Sequence, residues 1–342
     1  PNYSFIDSSF NLSFYDGTPE AEVAYMGCRT RVMDNRHGEK NTVQRGNLSF
    51  TSLNLVKMAL TAHNIPDFFR KLDHYADLAI KQLLERFKFQ GKKKARNFPF
   101  LYGQGIWKGG ETLQPDDELK EVLRQGTLTL GFIGLAEALV ALIGKHHGES
   151  EQARRLGYRI VEFLREKTDR ASEEYDLNFS LIATPAESLS GTFTRKDQEV
   201  FGKIPGITDR PYYTNSFHVP VYYPIKAIDK IRIEGPFHKL CNGGHITYIE
   251  CDGDVARNIR ALDVLVKAMA EHDIGYGAIN HPVDRCKECG YSGIIDNECP
   301  SCGNGDENKI SRIRRITGYL VGDMNRWNSA KRAEERERVK HA

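Results

Sequence analysis

The chain has 342 residues, 40% of them hydrophobic and 27% charged, a composition that can bury a large core and describes an ordinary soluble protein. A formal net charge of +2 gives no case for nucleic-acid binding, and no stretch is long and apolar enough to span a bilayer. Of seven cysteines, the five read below in reactive or metal-binding segments, with no signal peptide, point to a reducing interior rather than a disulfide scaffold, and so to the cytoplasm.

In chain order, the first informative segment is Met26-Gly27-Cys28-Arg29-Thr30-Arg31. A lone cysteine is ordinarily a buried small hydrophobe, and Cys241 and Cys251 are read that way. Next comes Gln44-Arg45-Gly46-Asn47-Leu48-Ser49-Phe50, with Asn47 standing 19 residues after Cys28. Apolar periodicity predicts amphipathic helices near residues 67–89, 134–142, 151–168 and 256–272. It predicts strands near 178–183, 217–223, 245–250 and 276–279, an α/β pattern without internal repeats. Periodicity alone does not choose between an open doubly wound sheet and a barrel. The run Lys92-Lys93-Lys94-Ala95-Arg96 reads as a solvated loop after a helix, since no aromatic residues interleave it.

The strand near 178–183 runs into Thr184-Pro185-Ala186-Glu187-Ser188. Thr184 can serve as N-cap, Pro185 as first helical residue and Glu187 as the third-position partner of a capping box. That fits an ordinary capped helix, and equally an anion site at a helix N-terminus. The charge of Glu187 would repel a phosphate, so backbone N–H groups after Thr184 are the better donors. Farther on stand Tyr212-Tyr213-Thr214-Asn215-Ser216-Phe217-His218 and a Gly243-Gly244 turn feeding a strand that opens with His245. His218 and His245 are read as satisfied structural groups, not catalytic ones.

Near the C-terminus, Cys286-Lys287-Glu288-Cys289 and Cys299-Pro300-Ser301-Cys302 are each followed by glycine. That spacing closes four thiolates tetrahedrally around zinc, and four protein ligands leave no open position, so the role is structural. Iron in a rubredoxin-like site, two disulfides and a redox pair are the alternatives. The segment leads into Lys309-Ile310-Ser311-Arg312-Ile313-Arg314-Arg315-Ile316-Thr317-Gly318-Tyr319-Leu320, which on composition is a basic, β-branched strand ending at a turn glycine.

Together these segments resemble the anaerobic (class III) ribonucleoside-triphosphate reductases, in which a four-cysteine zinc site precedes a C-terminal glycyl radical loop. The resemblance implies that Gly318 carries the radical, and that Cys28 becomes a thiyl radical. Asn47 then stands at the position of the asparagine of formate-using members, and Thr184, Pro185, Ala186, Glu187 and Ser188 form a substrate phosphate site. Zinc on Cys286, Cys289, Cys299 and Cys302 would be structural. Formate would be the co-substrate, and S-adenosylmethionine and an iron–sulfur cluster would belong to a separate radical-SAM activase. The substrate would be a ribonucleoside triphosphate, and the complete enzyme a homodimer.

The implied fold is part of a ten-stranded α/β barrel over residues 1–280, then the four-cysteine segment over 281–308, then the glycyl radical loop and tail over 309–342. Almost the whole chain takes part in the resemblance, but it matches only the C-terminal part of the family's usual length. A regulatory ATP-cone, the first barrel strands and an N-terminal cysteine have no counterpart. The expectation is a fragment, or one piece of a split enzyme, with a missing N-terminal partner segment, because half a barrel exposes sheet edges. Another glycyl radical enzyme such as pyruvate formate-lyase fits less well: Cys28 has no adjacent second cysteine, and those enzymes lack the zinc site. A zinc-ribbon binding module would explain the four cysteines alone.

Overall fold

A computed structural model describes residues 2–251, 258–281, 283–316, 319–321 and 327–341. Three strands, Asn47–Asn54 (β4), Thr127–Ile133 (β5) and Asn178–Ala183 (β6), form a parallel sheet in that order. Parallel neighbours need crossovers, and helices supply them. Leu55–Thr61 and Ile65–Gly91 lie between β4 and β5, and Leu135–Ile143 and Glu151–Tyr175 between β5 and β6. The two long helices start where side-chain caps predict: Asn64 accepts from the Asp67 N–H and Ser150 from the Ala153 N–H.

Alternation along the strands gives the sheet two unlike faces. Leu130, Phe132 and Leu181 point into a core with Phe68, Leu72, Leu139, Ile160 and Leu164 of the helices. Burying each such side chain is worth about 1.5–3 kcal/mol. The opposite face carries Thr127, Thr129, Gly131 and Ser180, small and polar, yet it is also buried.

A second parallel pair, Thr247–Glu250 (β7) and Tyr276–Asn280 (β8), is joined through the helix Ile259–Glu271, and Asn2–Ser4 (β1) pairs antiparallel with β8. Gly244 ties this unit to the first sheet through a parallel bridge to Ile182, and it also bridges Thr30. Thr30 belongs to a hairpin of Tyr25–Met26 (β2) and Thr30–Arg31 (β3). The C-terminal region adds an antiparallel sheet of Val283–Cys286 (β9), Ser292–Gly293 (β10), Ile310–Ile316 (β11) and Tyr319–Val321 (β12), ordered β10-β9-β11-β12. Helix Ser329–Glu337 follows.

Mixed α/β architecture agrees with the sequence reading. The parallel strands come in blocks of three and two, so the ten strands of the expected barrel are not all present among the described residues. Other differences have local causes. No strand forms over 217–223, where the chain turns instead and Glu234 takes the Val219 N–H at 2.9 Å. The predicted capping box at Thr184 does not form: the helix begins at Leu189, with Ser188 as its cap. The helix Ala227–His238 was not expected, because it is buried on several sides and carries Pro236 inside. Among the described residues no helix is long and apolar enough to cross a membrane.

Candidate active site

Cys28 sits in the three-residue connection Gly27-Cys28-Arg29 between β2 and β3, with Gly27 at φ +56°, a conformation that favours glycine. Its thiol is half-buried. The two arginines beside it, Arg29 and Arg31, are fully buried and hydrogen-bonded to backbone, as buried charges must be. Arg29 Nη1 donates to the Ala183 carbonyl at 3.1 Å, and Arg31 Nη1 to the Asn242 carbonyl at 3.2 Å. Arg31 Nε donates to Asn11 Oδ1 at 3.0 Å, and its backbone N–H to the Gly243 carbonyl at 3.0 Å. These bonds fix the hairpin, and so the cysteine, against the end of β6.

The hairpin and the segment Gly243-Gly244 lie on the polar face of the first sheet. A Cβ on Gly243 would come 2.6 Å from Ser180 Oγ. Ser180 Oγ is 3.0 Å from Thr129 Oγ1, which donates to Asn47 Oδ1 at 3.0 Å. A hydroxyl ladder therefore connects Asn47, across three strands, to the segment that carries the Cys28 hairpin. Ser52 Oγ and Thr184 Oγ1, 2.8 Å apart, form a second rung, and Gly131 leaves room for it, since a Cβ there would fall 2.2 Å from Thr184 Oγ1. Thr129 and Ser180 escaped the sequence reading. The signal was a Thr-Leu-Thr-Leu alternation in β5.

Of the expected phosphate donors, the Ala186 N–H is already engaged by Asn215 Oδ1 at 2.8 Å. Thr184 is buried, Pro185 and Glu187 are half-buried, and Ser188 is exposed at the start of the helix Leu189–Phe201.

His218 and His245 are both buried. His245 Nδ1 lies 2.8 Å from the Cys241 carbonyl, and its Nε2 lies 2.8 Å from the Tyr25 hydroxyl. Burial lowers His245 to about 3 and His218 to about 4. His218 Nδ1 faces Glu234 Oε2 at 3.2 Å. Burial alone would raise Glu234, but Lys230 and His218 beside it hold it well below the usual carboxylate range. Cys241 is fully buried, and desolvation pushes its thiol up.

The four C-terminal cysteines converge, with all Sγ atoms within 4.8 Å of one another. Cys286–Cys302 and Cys289–Cys299 stand 3.7 and 3.6 Å apart, near the roughly 3.8 Å edge of a tetrahedron with bonds of about 2.3 Å to zinc. A disulfide would need about 2.05 Å. The Cys289 N–H points at Cys286 Sγ and draws that thiol down to about 6, and Asn304 Nδ2 lies 3.6 Å from the same sulfur. The donor set fits a metal site.

Gly318 lies outside the described residues. On either side of it, Ile316 and Tyr319 pair across β11 and β12. The Arg315 guanidinium carbon lies 5.6 Å from the Tyr248 ring centre, and that of Arg29 5.7 Å from the same centre. The chain's last residues close over this place. Arg338 pairs with Glu250 at 2.6 Å and donates to the Arg315 carbonyl at 2.8 Å, while His341 Nδ1 accepts from the Glu250 N–H. Between them is a cavity of about 30 Å³, lined among others by Arg29, His218, Tyr248, Glu250 and Arg338. That volume suits one or two waters.

Comparison with known proteins identifies the family. A family model described as anaerobic ribonucleoside-triphosphate reductase matches residues 1–341. The anaerobic ribonucleoside-triphosphate reductase of Escherichia coli (strain K12) is 40% identical over 328 residues, covering 92% of this chain and 46% of that protein. The protein of that name from Enterobacteria phage T4 is 34% identical over 337 residues, covering 93% and 53%. The chain thus spans about half the length of the curated relatives it matches. Among solved structures, an anaerobic ribonucleotide reductase superposes with a TM-score of 0.70 at 22% identity, over 99% of this chain and 49% of that one. The Thermotoga maritima anaerobic ribonucleotide reductase in complex with dATP and CTP gives 0.60 at 23% identity, over 84% and 44%. Because the family model matches nearly the whole of this chain, the chain belongs to the anaerobic ribonucleoside-triphosphate reductase family.

Proposed function

We propose that this chain carries the radical chemistry of an anaerobic ribonucleoside-triphosphate reductase, with Gly318 as the radical store and Cys28 as the thiyl residue. The observation that carries this reading is the Cys28 hairpin, whose buried arginines hold it against the polar sheet face that bears Asn47. The two parallel blocks are then an arc of the family's barrel over residues 1–280. The four-cysteine segment over 281–308 and the radical loop and tail over 309–342 follow.

A separate radical-SAM activase removes a hydrogen atom from Gly318. Glycine suits this because a planar α-carbon radical is shared with both flanking peptide groups, and no side chain obstructs it. One hydrogen atom then moves from Cys28 to the glycyl carbon: the S–H bond breaks and a C–H bond forms. The thiyl takes the ribose 3′ hydrogen of a ribonucleoside triphosphate, and the 2′ hydroxyl leaves as water. Formate, oxidised to carbon dioxide, supplies two electrons, with Asn47 holding formate or the ribose. Residues 184–188 receive the phosphates, mainly through backbone N–H groups other than that of Ala186. Cys286, Cys289, Cys299 and Cys302 would hold a zinc ion that would brace the strand leading to Gly318, and the working assembly is a homodimer.

The test is an anaerobic EPR spectrum after incubation with activase, S-adenosylmethionine and a reductant, with the remainder of the family's length supplied. A doublet from one large α-hydrogen coupling that vanishes in Gly318→Ala is expected. Cys28→Ala should keep the doublet and abolish nucleotide reduction. An absent doublet with a competent activase, or full activity in Cys28→Ala, overturns the reading.

A further inference from the structure

We propose that Tyr248 is a positioning residue that sets the Cys28 turn against the strand leading to Gly318, an inference that rests on the radical reading above. Hydrogen exchange between a thiol and a backbone carbon needs the two segments in near contact, where small misplacements cost large factors in rate. The structure brings residues adjoining both segments to one aromatic ring. Arg29 is the neighbour of Cys28 in the chain, and Arg315 stands three residues before Gly318. Their guanidinium carbons lie 5.7 and 5.6 Å from the Tyr248 ring centre, inside the range of cation–π attraction. Arg29 Nη2 also donates to the Tyr248 hydroxyl, at 3.4 Å.

The surroundings strengthen this clamp. Tyr248 is 8% exposed and Arg29 is fully buried, so the ring's negative face is poorly screened by water. Two guanidinium groups would repel each other there without a shared acceptor, and the ring is one. Glu250 follows two residues later on the same side of β7. It pairs with Arg338, which donates to the Arg315 carbonyl, so β7 holds Arg315 by its side chain through Tyr248 and by its backbone through Glu250 and Arg338. A leucine at 248 could fill the space, but it would offer neither cation a ring face, leaving Arg29 to the Ala183 carbonyl and Arg315 to Asn2 Oδ1.

The experiment compares Tyr248→Leu and Tyr248→Phe with the unaltered protein, activated anaerobically with the remainder of the family's length present. Glycyl radical is counted by EPR, and kcat per radical and KM for the nucleotide are measured. In Tyr248→Leu, radical yield and KM should hold while kcat per radical falls by roughly tenfold or more, since both cation–π contacts are lost at a desolvated site. Tyr248→Phe keeps the ring and should stay within about threefold. Unchanged kcat per radical in Tyr248→Leu overturns the proposal. So does a loss confined to radical yield, or an equal loss in Tyr248→Phe, which would place the effect on the hydroxyl. Should Tyr248→Leu fail to fold, Arg315→Met reports on the same contact from a half-buried position, with the same expected fall in kcat per radical and the same overturning result. A protein that forms no radical at all with tyrosine in place fails at the radical reading instead, which separates the two outcomes.

Discussion

Gly244 lies so tightly under Arg29 that a Cβ at that position would sit 2.4 Å from the Arg29 carbonyl oxygen and 2.9 Å from the Thr30 α-carbon. Both neighbours are backbone, so neither can swing aside. Gly244 also has φ +142°, a conformation side chains rarely adopt. The glycine is therefore what lets the cysteine hairpin dock between the two parallel units. Gly244→Ala should cost roughly 2–5 kcal/mol from strain and overpacking together, and displace Cys28. Urea unfolding would give the first quantity, and nucleotide reduction per glycyl radical the second. A variant with unaltered stability and activity would show that the close approach is not what seats the hairpin.

Metal removal makes a second prediction. The core around the four cysteines is small, Cys286, Ile295, Cys299 and Ile310 with Tyr291 against them. Buried Arg312 adds bonds to Asp284, Glu307 and the Asp296 carbonyl, and on the proposed zinc site the ion would add the larger share, since in small zinc modules it supplies about 10–16 kcal/mol of apparent binding free energy at neutral pH. Chelation, or Cys299→Ser, should raise amide hydrogen exchange across β9 and β11 while leaving the Ile65–Gly91 and Glu151–Tyr175 helices protected. Because β11 leads to Gly318, radical yield should fall with it. Protection that survives verified metal loss would argue that hydrogen bonding and packing hold the segment unaided.

Much of this site could be read from residues that punctuate the chain. The four C-terminal cysteines and the Gly243-Gly244 turn announce themselves because their spacing or backbone demand is local, whereas Cys28 is singled out only by the family resemblance of its neighbours. The long helices were visible through periodicity, although Glu151–Tyr175 runs seven residues beyond the predicted end at 168. What stayed hidden depends on contacts distant in sequence. Nothing near Tyr248 reveals that Arg29 and Arg315 converge on it, and nothing near Glu250 reveals the docking of Arg338 and His341. Thr184 failed as a cap for a similar reason: its hydroxyl is committed to Ser52, 132 positions away.

Acid should unfold this chain through its buried histidines. Burial holds His218 near a pKa of about 4, and His147, His245 and His341 at about 3, below the ordinary 6.5. Each is neutral in the native state and gains its proton more readily when unfolded. The unfolded state thus binds more protons between the two values, so stability is retained above about pH 6.5 and lost as pH falls toward 4 and below. One such group contributes about 1.4 kcal/mol per pH unit across that window. Urea midpoints measured at pH 7, 6 and 5 should fall progressively, and His245→Gln should flatten the dependence by about one proton. Equal midpoints at pH 7 and 5 would mean that these rings are not held neutral.

The hydroxyl ladder yields a prediction about Asn47. Because Thr129 Oγ1 donates to Asn47 Oδ1 at 3.0 Å, the side-chain oxygen is fixed and the NH₂ group is turned the other way, as a donor suited to a carboxylate or a ribose hydroxyl. Asn47→Asp keeps the acceptor for Thr129 but replaces the donor with a second oxygen and adds negative charge. Losing a donor to a charged acceptor costs about 1.5–3 kcal/mol, so nucleotide reduction should fall by roughly 10- to 150-fold, with the larger part in KM for formate. Thr129→Val frees the amide to rotate and should cost about tenfold, with recovery in Thr129→Ser, whose hydroxyl restores the anchor. The glycyl radical signal should persist in all three variants, since none touches Gly318. If Thr129→Val and Thr129→Ser behave alike, the methyl packing matters and the hydroxyl does not, and the orientation assigned to Asn47 is wrong.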